Sequence, residues 1–315
     1  MADAIPRTRS AGVWLALVAA CVSGVSVFVN AYAVKAVPDP TAYTTLKNLV
    51  AAVIVGSLLA VATARGSSAG FARPRTRAEL AGLGVVAVIG GSVPFVLFFE
   101  GLARASAKDA AFVQKTLVIW VAVLAVAFLH ERLGLLQVGA VVVLVVGPAL
   151  LGTDLSALRP GLGEAMILAA TLLWSVEVVV AKRLLAELSA LTVGTARLAG
   201  GAVLLVAYVA VRGNLGALVP DTAAAWGWVL LTGTTLGVYV TVWFAALARA
   251  QAVDVTAVLV FGAVITAVLD ALAKGVPVGP QLAGLALIVA GTVAFVAVAT
   301  RTRDAALDHS ATATR

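Results

Sequence analysis

Phe99-Glu100-Gly101-Leu102-Ala103-Arg104-Ala105-Ser106-Ala107-Lys108-Asp109 returns as Phe244-Ala245-Ala246-Leu247-Ala248-Arg249-Ala250-Gln251-Ala252-Val253-Asp254, 145 residues further on. Two more matches keep the same order. Thr44-Thr45-Leu46-Lys47 stands against Gly194-Thr195-Ala196-Arg197 at an offset of 150, and Gln137 and Gly147 stand against Gln281 and Gly291 at 144. Colinear matches at a nearly constant offset mark a duplicated unit, so the chain reads as two copies of one fold in tandem.

The surroundings of these matches say what solvent the fold lives in. Of 315 residues, 62% are hydrophobic and 12% charged, and the mean hydropathy is +1.08. Soluble domains run at about 45–50% apolar and about 25% charged. So few charges cannot coat a soluble surface, which excludes an ordinary soluble enzyme and a disordered chain. Apolar runs near the bilayer-crossing length of about 20 residues recur at 11–33, 41–63, 81–102, 107–128, 134–152, 162–181, 190–212, 224–246, 250–271 and 279–299. They do not alternate apolar and polar residues as strands of a membrane barrel do, so their backbone groups must be satisfied within helices.

The expected fold is therefore an all-α polytopic membrane protein of ten transmembrane helices, built as two inverted five-helix repeats. Residues 1–152 form the first repeat with a short N-terminal segment, 153–300 the second, and 301–315 a polar tail. Five crossings per copy is an odd number, so the second copy enters the membrane upside down. The first run follows Arg7 and Arg9, and Ala31-Tyr32-Ala33 resembles a signal-peptidase site. Its apolar core exceeds the usual 7–15 residues of a signal peptide, so it is read as a span. Thirteen Lys and Arg fall on one side of the alternating loops and six on the other, which predicts both termini in the cytoplasm. The formal charge of +7 is spread between apolar runs with no nucleic-acid-binding motif, so it reads as a topology signal and nucleic acid is not an expected partner. One cysteine and two histidines leave no disulfide and no metal cluster to argue from, and no cofactor is expected.

Inverted repeats are characteristic of secondary transporters, whose substrate site lies between the halves near mid-membrane. Particular segments also carry a family likeness. Phe128-Leu129-His130-Glu131-Arg132-Leu133 followed by Gln137-Val138-Gly139 and Gly147, Trp174-Ser175 with Lys182, and the basic residues Lys47 and Arg197 together resemble the drug/metabolite transporter superfamily, specifically its EamA-type ten-span exporters. The likeness covers residues 11–300. It implies an exporter of a small metabolite. The chain departs from the family pattern in lacking a proline at Gln114-Lys115-Thr116, in carrying His130 where glycine is usual, and in lacking the Gly-Glu pair in its second half.

A charge in mid-bilayer costs about 2.5–3.5 kcal/mol on insertion scales, so each one asks for a reason. Glu177 and Arg197 lie on successive spans at similar depth, and an ion pair between them would tie two helices or act as a gate. Lys47 has no acid on the first span, where Ser26 and Asn30 stand instead. It either snorkels to the interface or meets substrate. Lys115, between Gln114 and Thr116, starts deeper and is the favoured substrate contact. Glu100 ends the third span on the side from which either lysine could be reached. Trp174, Tyr239 and Trp243 either line a cavity or serve as packing and interface anchors. Three in-span bases against one clearly internal acid favour a carboxylate-bearing substrate such as an amino acid. A lipophilic-cation exporter is the alternative reading, and an intramembrane enzyme, channel or scaffold is the alternative from another class. No catalytic set is legible. Gly82-Leu83-Gly84-Val85-Val86-Ala87 fits a dinucleotide-binding pattern, but it opens a span rather than following a strand. Expected partners are a small-molecule substrate, a coupling proton or counter-substrate, the lipid bilayer and a second copy in a homodimer. The expected location is the cytoplasmic (inner) membrane.

Overall fold

A computed structural model describes residues 5–37, 39–102, 104–105, 113–150, 161–275 and 282–312. Those residues are helical throughout apart from their connecting turns. The helices are α1 (Ile5–Ala33), α2 (Pro40–Ala64), α3 (Arg77–Leu102), α4 (Val113–Leu129), α5 (Leu135–Leu150), α6 (Leu162–Leu184), α7 (Ala190–Val211), α8 (Ala223–Arg249), α9 (Ala252–Lys274) and α10 (Leu282–Thr312). Seven of them, α1–α3 and α6–α9, are long and apolar enough to cross a bilayer, whereas the apolar parts of α4, α5 and α10 are shorter. The residues expected to extend those three, 107–112, 151–152 and 279–281, lie outside the described residues.

The interior mixes large side chains such as Tyr43, Phe244, Phe295 and Leu198 with many small ones at the helix contacts. Ala16, Ala19, Ala20, Ala51, Ala246, Ala252 and Ala257 are fully buried, while Val53, Val123, Val142, Val203, Leu231 and Val293 face outward. Lipid is as apolar as leucine, so burial of large side chains gains little there and close backbone approach takes over. Helix starts are fixed locally. Asp39 accepts from the amides of Thr41 and Ala42 ahead of α2, with Pro40 at the first helical position, and Thr76, Ser189 and Thr222 cap α3, α7 and α8 in the same manner.

The two halves interlock. α1 packs on α8 and α9, α2 on α7 and α8, α3 and α4 on α6, and α5 on α10. Several helices are interrupted. α4 breaks at Thr116 and α9 at Val260-Phe261, positions that correspond at the 145-residue offset. Both breaks are pinched turns with i→i−3 hydrogen bonds: Thr116 N to Val113 O at 3.2 Å and Ile119 N to Thr116 O at 2.9 Å, then Phe261 N to Val258 O at 3.1 Å and Val264 N to Phe261 O at 2.9 Å. Neither break carries a proline. α3 breaks at Gly90-Gly91-Ser92, while its counterpart α8 runs unbroken from Ala223 to Arg249.

His130 ends α4 with φ +57°, and among the described residues it is the non-glycine with positive φ. Left-handed backbone costs an L-residue about 1–2 kcal/mol, which accounts for the glycine usual at this place. The turn directs Glu131 toward the start of α9. We expect His130→Gly to raise stability by about 0.5–1 kcal/mol, the relief of strain being partly offset by glycine's extra unfolded-state entropy. A higher melting midpoint with unchanged transport is the result to look for in a thermal-unfolding assay.

The connecting turns gather at two opposite ends of the bundle. At one end the α1–α2 turn, the end of α3 and the α7–α8 connection surround a cavity of about 720 Å³. At the other end α1 begins, α4 ends, α5 begins, α6 ends and α8 passes into α9.

Candidate functional site

The centre of the site is built on α2 and α7. Lys47 is 6% exposed, so it is buried rather than snorkelled to the interface. Its Nζ donates to Asn30 Oδ1 of α1 at 3.1 Å, and the same oxygen accepts from the Tyr43 hydroxyl at 2.5 Å. Three rings surround the ammonium, with their centres 5.2 Å (Tyr43), 5.9 Å (Phe95) and 5.1 Å (Phe99) away. Such contacts contribute up to about 2 kcal/mol each when desolvated, which lets a charge stay inside without a carboxylate. No ion pair of Lys47 occurs among the described residues.

Arg197, the repeat counterpart of Lys47, is 8% exposed and donates from Nε to Glu177 Oε1 at 2.6 Å, with Glu177 itself 5% exposed. It sits in a π-helical turn, Ala196–Gly200, which shifts its register relative to the rest of α7. The guanidinium carbon is 5.7 Å from the centre of the Phe95 ring. One ring therefore touches both buried cations. Trp174 donates from its indole nitrogen to Gly90 O at 3.3 Å and meets Phe95 edge-on at 5.5 Å. Tyr239 stacks on Trp243 at 6.0 Å and is within electrostatic reach of Arg197 and Glu177. Trp243, 7% exposed, is core packing.

Glycines make this geometry possible. Cβ atoms on Gly90 and Gly91 would overlap the Glu177 carboxylate and the Arg197 carbonyl oxygen, and one on Gly201 would overlap the Gly91 backbone. α3 and α7 thus meet backbone to backbone, and the break in α3 is where Glu177 and Arg197 fit. Among the described residues, four buried side-chain atoms near this core have no hydrogen-bond partner: Thr44 Oγ1, Asn48 Oδ1, Thr195 Oγ1 and Arg197 Nη1. Thr44, Lys47 and Asn48 are spaced i, i+3, i+4, so they share one face of α2.

Two residues singled out in the sequence stand apart from this centre. Glu100 does not reach a lysine but pairs with Arg104 at 2.7 Å and Arg212 at 3.2 Å at the cavity rim, because it sits at the exposed end of α3. Lys115 is half-buried in the first turn of α4 and has no hydrogen-bond or ion-pair partner among the described residues. It is not part of the Lys47–Arg197 cluster as described. Of its neighbours, Gln114 is half-buried as well, and Thr116 is engaged locally, donating to Val113 O at 2.6 Å and accepting from Trp120 Nε1 at 3.1 Å.

A second polar cluster, not foreseen from the sequence, closes the end opposite the cavity. Asp254 is 0% exposed. Its carboxylate accepts from Arg9 at 2.8 and 2.9 Å and from Gln137 Nε2 at 3.0 Å. Glu131 accepts from the amides of Ala252 and Val253 at 2.7 and 3.2 Å, capping α9. Burial holds the Glu131 carboxyl above the usual carboxylate range despite these two amide bonds. Lys182 donates to Leu247 O and Ala250 O at 2.7 and 2.6 Å, capping the other side of the same corner. The motif residues Glu131, Gln137 and Lys182 had signalled something here, but their common target, the α8–α9 corner, is evident only in three dimensions.

The fold and these two clusters define a polytopic helical membrane protein with a charged, aromatic-lined centre between duplicated halves. The model of the EamA-like transporter family matches residues 10–153 and again residues 161–297. The chain belongs to the EamA-like transporter family, and the drug/metabolite transporter likeness rests on the same two matches. A solved structure titled only as the crystal structure of a protein is similar over 93% of this chain and 99% of its own, at 19% identity and a TM-score of 0.74. That likeness concerns the fold. No curated protein sequence matches.

Proposed function

We propose that the protein is a secondary active transporter that exports a small carboxylate-bearing metabolite across the cytoplasmic membrane by alternating access. The reading takes all ten helices as crossings, with the repeats at 1–152 and 153–300 and both termini inside. The observation that carries it is the pair of repeat-equivalent buried cations, Lys47 and Arg197, meeting at Phe95 between the halves. A site that recurs on both copies is what a rocking mechanism needs, because exchanging the conformations of the copies then presents it to either side. The asymmetry of the ends supports the same reading. One end holds the cavity, with Phe99 on its wall, and the other is tied shut by Arg9, Glu131, Gln137, Lys182 and Asp254.

Lys47, rather than Lys115, is assigned the substrate charge, since it is the buried cation that faces the rings and the cavity wall. The cation-exporter alternative fits less well, because the buried acid of the centre, Glu177, is already bound to Arg197. A coupling proton or counter-substrate completes the cycle. Topology gives a direct check. In a Cys21→Ala background, Ser68→Cys and Gly216→Cys should be labelled by an impermeant maleimide from opposite faces of the membrane, Ser68→Cys from the inside. Labelling of both from one face would contradict the inverted repeat.

A further inference from the structure

The charges of the centre do not cancel. Glu177 offsets Arg197, and Lys47 has an amide oxygen and three rings but no carboxylate among the described residues. The sum is one uncompensated positive charge, held away from water. A buried charge without a partner is costly, and a buried pair repays its desolvation where the geometry is good and further hydrogen bonds are made; here a ligand carboxylate can supply the missing partner. Phe99 belongs both to the Lys47 cage and to the lining of the outer cavity, so the cage borders that space. The rings now facing Lys47 are also the surface against which a ligand body would lie once its anionic group meets the ammonium.

Building on the transporter reading, we infer that the substrate is a monocarboxylate with net charge −1 and an apolar body, in preference to a zwitterionic amino acid or an amine. A zwitterion brings no net charge and leaves the centre at +1. It also requires an acceptor for its ammonium next to Lys47, where Asn30 Oδ1 is already taken twice. An amine adds to the excess. Arg197 Nη1, buried and unpartnered, provides a second donor toward a carboxylate. The cavity rim carries Asp39, Glu100 and Asp221 against Arg212, with Arg104 bound to Glu100. Its acidic excess slows rebinding of an anion once released, which suits export.

Three probes share a phenyl ring and differ in charge: 3-phenylpropionate (−1), L-phenylalanine (0) and 2-phenylethylamine (+1). Calorimetric titration into the purified protein in nanodiscs should show 3-phenylpropionate binding at least about tenfold tighter than either of the others. Lys47→Met should weaken it by about a hundredfold, the usual scale for removing one member of a buried charge pair. Lys47→Arg should restore a good part of it, and size-exclusion profiles and melting curves should show both variants folded. Equal or tighter binding of L-phenylalanine or 2-phenylethylamine, no binding of any probe, or unchanged binding by Lys47→Met would each overturn the inference. Counterflow in liposomes separates the two levels. Exchange of L-phenylalanine but not 3-phenylpropionate would leave a transporter and remove the monoanion.

Discussion

Glu177→Gln is expected to destabilise the protein by about 3–5 kcal/mol, and Arg197→Gln by a similar amount. Each change leaves a buried charge without its partner, and breaking such a pair costs far more than the pair contributes over an apolar replacement. The geometry leaves little room for repair, since both residues are buried and bonded at 2.6 Å. The double change should cost clearly less than the sum of the single ones, with a coupling energy of about 1–3 kcal/mol in the cycle. Thermal or denaturant unfolding in detergent measures all four corners. Strict additivity would mean that the carboxylate and the guanidinium act independently.

The second large effect is expected at a glycine. A Cβ on Gly91 would overlap the carbonyl oxygen of Arg197 and lie 2.9 Å from Ala87 O and from Gly201 Cα. These are backbone atoms and cannot rotate aside, so α3 and α7 must move apart. Overpacking of this kind costs about 1–3 kcal/mol, and separating the helices would also strain the Glu177–Arg197 pair beside them. Gly91→Ala should therefore be strongly destabilising. Gly84 of the same helix has open space around its would-be Cβ, so Gly84→Ala should be neutral or gain up to about 1 kcal/mol from helix propensity. Equal melting temperatures for the two variants would remove close backbone contact as the organising feature of the site.

Much of this arrangement is legible in the sequence because lipid makes polar residues expensive. Glu177 and Arg197 stand out as an acid and a base on successive apolar runs, and their pairing follows from the cost of burying either alone. The duplicated Phe-x-x-Leu-Ala-Arg-Ala-x-Ala-x-Asp stretch predicts the repeat, and EamA-family membership rests on matches to both copies. The aromatic cage is not legible in the same way. Phe95 and Phe99 lie on α3 while Lys47 lies on α2, and an apolar run offers no signal for which of its phenylalanines turns toward a cation on another helix. The spacing of Thr44, Lys47 and Asn48 could have shown a polar face on α2. For Asp254 the sequence gives only a place in a repeated motif. Its partners Arg9 and Gln137 are 245 and 117 residues away, and only the packing of α1 and α5 against the α8–α9 corner brings them together. The repeat counterparts of Asp254 and Gln137, Asp109 and Gln281, lie outside the described residues.

Alternating access is the central claim, and distances across the two ends of the bundle test it most directly. Spin labels at Ala36→Cys and Ala217→Cys span the cavity end, and labels at Arg132→Cys and Arg249→Cys span the tied end, all in a Cys21→Ala background. Double electron–electron resonance in nanodiscs should show two populations at each end, with reciprocal weights. Asp254→Asn removes the carboxylate that holds Arg9, so it should lengthen the distance across the tied end and shorten the one across the cavity in the same sample. If the two ends instead open together, or neither distance responds to Asp254→Asn, the protein does not work by exchanging the conformations of its halves.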